Sequence, residues 1–216
     1  MKRLKLIVCF FIASILLSGC VLGTRNIDLA PPQGYKNEIS SAGNVYIDLI
    51  DDQRVFEKSP KKPSTPSVDG ELAATSKTKL SSLIGRQRNS YGMAMGDVAL
   101  PEGGTVQNEI RELLTKAIES RGYTVVNDKS APIRVSVEIE KFWGWFTPGF
   151  VAISFEADLQ CKVIVLTELD EHIFDVKGYG RNKGQVASDG NWKLVYDRAF
   201  LSFLTQFDKM LDEKGL

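Results

Sequence analysis

Histidine is almost missing from this chain: His172 is the only one among 216 residues. That scarcity excludes histidine-rich metal sites and the H-E-x-x-H zinc pattern. It also leaves a Ser-His-Asp triad a single residue to be built on, with no G-x-S-x-G elbow to accompany it. Phosphate-cradling signatures are missing as well. Gly178-Tyr179-Gly180 and Gly184 fit neither G-x-G-x-x-G nor a Walker spacing, and read as a bulged strand end followed by a turn. Charge of either sign is not in excess, with 27 Lys+Arg against 27 Asp+Glu, so nothing supports nucleic-acid binding. The paired acids Asp51 and Asp52 are strand neighbours that point to opposite faces, which opposes a shared catalytic role. The chain therefore reads as non-enzymatic, with no catalytic, cofactor-binding or metal-ligating residues.

What is present begins with Lys2, Arg3 and Lys5, followed by an apolar run from Leu6 to Leu17 and then Ser18-Gly19-Cys20. A basic start, an apolar middle and small residues before a cut have the layout of a secretory signal. The run is shorter than the ~20 residues that span a bilayer. Leu17-Ser18-Gly19-Cys20 matches the bacterial lipobox, so residues 1–19 are expected to be a lipoprotein signal peptide and Cys20 the site of diacylglyceryl and palmitate attachment. Two or more acyl chains hold a protein stably to membrane lipid. Val21 follows, with no Asp close behind, which by likeness to enterobacterial sorting points to the outer membrane and a periplasm-facing domain. Removal of the signal takes Lys+Arg from 27 to 24, and with Cys9 gone and Cys20 modified, Cys161 is the one remaining thiol. No internal disulfide can form, and the fold must rest on a packed core.

Residues 20–43 carry Pro31, Pro32 and Gly34 without a period and are expected to be a flexible tether, its ends ~25 Å apart on average. A single domain is expected over 44–216. Val45, Ile47 and Leu49 alternate with Asn44, Tyr46 and Asp48 as the first core strand. The proline- and lysine-rich stretch at about 57–79 has little to bury and predicts a disordered loop. An irregular strand pair is expected around Leu83-Ile84-Gly85 and Tyr91 to Gly96. Thr105 stands as N-cap of a helix whose apolar stripe runs Val106, Ile110, Leu113, Leu114, Ala117 and Ile118, ending at Arg121-Gly122. A short strand over Tyr123 to Val126 precedes a three-strand meander: Ile133 onward, Val151 to Leu166, and about His172 to Tyr179. Ser188 opens a last helix with a stripe from Trp192 to Leu211.

Phe142-Trp143-Gly144-Trp145-Phe146-Thr147-Pro148-Gly149-Phe150 lies between two of these strands. Its glycines and proline demand a turn, so the rings are expected to crowd a hairpin tip. Phe142, Trp143, Trp145, Phe146 and Phe150 form the candidate contact surface, since exposed apolar patches mark partner or membrane contacts. The other reading turns Phe142, Trp143 and Phe150 inward over the core.

The order of elements behind a lipobox resembles the YajG-like family of outer-membrane lipoproteins. The likeness rests on the Val45 to Arg54 strand with its acidic-plus-Arg end, Leu83-Ile84-Gly85, the Ile110 to Val126 helix-Gly-Tyr-strand segment, and the Ala157 to Leu166 strand. It implies outer-membrane attachment and supplies no active site. The expected fold is α+β, an antiparallel sheet packed on one face by two amphipathic helices. The expected function is a non-enzymatic binding or scaffold module for an envelope protein. Carriage of lipid or another hydrophobic ligand is the alternative, and would need an apolar pocket of several hundred Å³.

Overall fold

A computed structural model describes residues 23–32, 42–68, 70–89, 93–147, 149 and 152–216. Eight strands form one sheet: β1 Arg25–Asn26, β2 Gly43–Asp52, β3 Leu83–Arg88, β4 Ala94–Ala99, β5 Tyr123–Val126, β6 Ile133–Thr147, β7 Ile153–Leu166 and β8 Glu171–Gly184. Among the described residues three α-helices accompany them: α1 Lys77–Ser82, α2 Val106–Ser120 and α3 Asp189–Lys214. Each helix starts on the hydroxyl its sequence offers. Ser76, Thr105 and Ser188 accept from the backbone N–H of Lys79, Asn108 and Asn191 respectively.

The antiparallel sheet with two helices on one face is overturned on both counts. The sheet is mixed, because β2 pairs in parallel with β5 and β6, β3 with β6, and β1 with β4. Parallel neighbours need a long crossover, and the chain from β2 through β3, β4 and α2 to β5 supplies it. Only β6, β7 and β8 form the expected antiparallel meander. Helices α2 and α3 contribute to the main core, but α1 sends Leu80 to a second apolar cluster around Trp143 and Trp145.

Strand β6 is the axis of the molecule. One of its edges pairs with β7 over its whole length. The other edge is divided, with β2 along Ile133 to Ile139 and β3 at Gly144 and Trp145. The main core lies where the inner faces of β6, β7 and β8 meet α2 and α3, and its largest side chains include Trp192, Tyr196, Phe142 and Phe155.

Two bulges set which side chains face that core. In β2 the register shifts between Ile47 and Ile50, so Ile50 packs on the core and Leu49 stands 61% exposed, against the simple alternation. In β6 the shift falls between Ile139 and Lys141. A single extra residue reverses the facing of everything after it. Phe142 and Phe146 therefore join the main core while Trp143 and Trp145 take the opposite face. Strand β8 continues without a break to Gly184. A Cβ at Gly180 would overlap the carbonyl oxygen of Val195, so these glycines let α3 rest on the sheet and do not mark a bulged end.

Two further expectations are corrected. Within the expected tether, residues 25–26 pair with β4, and Ile27 and Leu29 are buried in the main core. Within the expected disordered loop, Ser67 and Val68 are buried, Glu57 N–H donates to the Pro66 carbonyl, and Glu57 bridges Ser67. Trp143 is the cause. Its face is covered by Val68 and Leu72 of this segment together with Phe56 just before it.

Candidate functional site

The candidate contact surface of aromatic rings is not at the surface. Phe142 and Trp143 are fully buried, and Trp145 and Phe146 nearly so. Phe150, like Cys20, falls outside the described residues. Phe142 stacks on Tyr196 at 5.4 Å and Phe146 meets Trp192 at 6.2 Å. Trp143 takes Phe56 edge-on at 5.9 Å and donates its indole N–H to the Pro63 carbonyl at 3.2 Å. Lys141 lies over the Trp145 ring at 5.6 Å. The strand runs on to Thr147, so the turn comes later than the glycines suggested, and the rings alternate between two buried faces.

Arg54 closes the gap where β2 leaves β6. Gln53 N–H still bonds the Ile139 carbonyl, after which the Phe142 carbonyl has no strand partner on that edge. The Arg54 guanidinium donates to it at 3.0 Å, to the carbonyls of Leu83 and Leu80 at 2.6 and 2.8 Å, and to both carboxylate oxygens of Asp52 at 2.7 and 2.8 Å. All five N–H donors of an arginine are thereby used. Asp52 and Arg54 thus hold the fold together and leave no charge for a substrate.

His172 is partly buried, paired across the ladder with Val165. Cys161 is fully buried, and burial pushes its thiol up, away from thiolate chemistry. Among the described residues no group of three or more His, Cys, Asp or Glu side chains could hold a metal ion. No described helix is long and apolar enough to cross a membrane.

The outer edge of β8 is occupied by α3. Gln206 accepts from the Lys177 N–H at 2.6 Å, and Arg198 donates to the Arg181 carbonyl. An added strand would have to displace both side chains.

A cleft of about 470 Å³ opens between β1, α1 and the Pro101–Thr105 turn. Leu83, Ala99 and Leu100 give it an apolar floor, and Thr24, Thr78, Lys79 and Glu102 stand among its polar lining. Lys79 lies 3.3 Å from the buried Asp97, which also faces Arg86 at 3.7 Å. Its size is that of small-ligand and peptide clefts. It was not legible in the sequence, because its walls come from three separated segments that carry no shared motif. A second cavity, apolar and about 40 Å³, lies among Val45, Tyr123, Val165 and Phe207. That is room for about one or two water-sized molecules and not for an acyl chain.

No family model and no curated protein matches the chain. Solved structures resemble it distantly. A Xanthomonas campestris protein of the DUF330 family model aligns at TM-score 0.40 and 9% identity, covering 88% of this chain and 97% of its own. A hypothetical protein from Chlamydia trachomatis aligns at TM-score 0.38 and 10% identity, covering 79% and 99%. A neuraminyllactose-binding hemagglutinin homolog from Helicobacter pylori aligns at 0.34 and 14% identity, covering 86% and 93%. None of these carries the YajG-like name.

Proposed function

We propose that this chain is a YajG-like bacterial lipoprotein, acylated at Cys20 and held on the periplasmic side of the outer membrane, that acts as a non-enzymatic binding module for an envelope protein. The observation that carries the binding reading is the 470 Å³ cleft, whose apolar floor and hydroxyl-bearing wall suit a short loop of a protein partner. The aromatics Phe142, Trp143, Trp145 and Phe146 that the sequence offered as a contact surface are buried, and side chains of α3 occupy the β8 edge.

A photo-crosslinking side chain replacing Thr78 in living cells tests this reading. Capture of one envelope protein at Thr78, and not from the same probe at the distant Leu169, is the expected result. Equal capture from both positions, or capture of lipid alone, rejects it.

A further inference from the structure

We infer that the end of the sheet carrying Met93 and Val186 lies against the phospholipid surface, an orientation that rests on the proposed acylation of Cys20. Three residue steps separate Cys20 from Gly23, a reach of at most about 11 Å. Gly23 is not free to swing. Its carbonyl lies so close to Gly96 that a Cβ there would overlap it, and β1 then pairs with β4 through Arg25 and Asn26. Arg25 also donates to the Ala187 carbonyl and to Asp189 at 3.0 Å, which fixes β1 to the link between β8 and α3.

The strand directions decide which end this is. β1 runs parallel to β4, so Gly23 stands at the end of the sheet where β4 starts and β3 ends. The end of β6, the start of β7 and the end of β8 lie at that same end of the sheet. Met93 is about 10 Å along the chain from Gly96, within the span that Cys20 can cover. Met93 and Val186 are 59% and 64% exposed, and Arg181 and Lys183 stand exposed near the end of β8. Apolar side chains beside cations fit an anionic lipid surface. The opposite end, roughly 45 Å away along β7, is closed by Glu168, Leu169, Asp170 and Glu171, whose charge such a surface repels.

The test uses the full acylated protein reconstituted in vesicles of phosphatidylethanolamine and phosphatidylglycerol that carry a nitroxide quencher on the headgroup. Met93→Cys, Val186→Cys and Leu169→Cys each receive a thiol-reactive fluorophore, since the native Cys161 is buried. Loss of at least half the fluorescence at 93 and 186, with none at 169, is the expected result. Acylated protein quenched equally at all three sites, or at 169 alone, or at none, overturns the orientation while leaving the anchor intact. An intact mass with Cys20 unmodified overturns the anchor and the orientation with it.

Discussion

The two halves of β6 obey different rules although they are one unbroken strand. From Ile133 to Ile139 one face is buried and the other carries Arg134, Ser136 and Glu138, the simple alternation of a half-wet sheet. From Phe142 to Phe146 every residue is buried. The change happens at a one-residue bulge, beside the place where β2 departs and Arg54 takes over the bonding of the Phe142 carbonyl. A strand can thus pass from the margin of a domain to its centre without a turn, provided a side chain satisfies the backbone where a neighbour leaves.

The sharpest way to break the comparison is Arg54→Ala. It strands the Asp52 carboxylate and the carbonyls of Leu80, Leu83 and Phe142, and is expected to cost about 3–5 kcal/mol, as for loss of one partner of a buried ion pair. Urea unfolding at pH 7 measures it, and a loss below about 1 kcal/mol would mean that water fills the gap readily. Trp143→Ala should cost nearly as much, about 3–5 kcal/mol, and should expose the Phe56 to Leu72 cover to added protease. Trp143→Phe keeps a ring but removes the indole bond to Pro63 together with some buried volume, and is expected to cost about 1–3 kcal/mol.

The bulge in β2 makes a paired prediction. Leu49→Ser should lie within about 0.5 kcal/mol of the parent, whereas Ile50→Ser should cost about 1–3 kcal/mol. The opposite ranking in denaturant melts would restore the unbulged register.

The smallest effect is a pH dependence at the first turn of α2. Burial, then Glu112 and Asp28, pushes the Glu109 carboxyl up to about 7. Because the folded state holds this proton more tightly than the unfolded chain, stability contributed by protonated Glu109 is full below the ordinary carboxylate range. It is lost as pH rises through about 7. The melting temperature should therefore fall between pH 5 and 8 by a few degrees, and Glu109→Gln should flatten that slope. A slope unchanged in the variant assigns the dependence to other carboxyls, such as Asp208, which is raised to about 6.

Much of this architecture was legible where one physical signal dominated. Thr105 and Ser188 cap helices where the sequence placed them, and the buried stripes of α2 and α3 are those their periodicity predicted. The meander was legible for the same reason. What periodicity could not reveal was the parallel pairing of β2, whose partners lie 80 residues away in β5 and 87 or 88 away in β6. Nor could it reveal the bulge that moved Trp143 off the core face. The error at 57–79 follows from that one. With Trp143 assigned to a hairpin tip, nothing remained for the proline-rich segment to cover, and low apolar content alone then argued for disorder. The cleft was missed for a different reason, since no stretch of the sequence contains more than one of its walls.

The side chains of Gln206 and Arg198 on the rim of β8 have a meaning beyond packing. The acylation of Cys20 proposed above would confine copies to a thin layer with a common up and down, where like edges meet more often. A fourteen-residue strand left open in such a layer would be a template for sheet growth from copy to copy. By lending two polar groups to that rim, α3 sets side chains in the path of any strand that a second copy could add there.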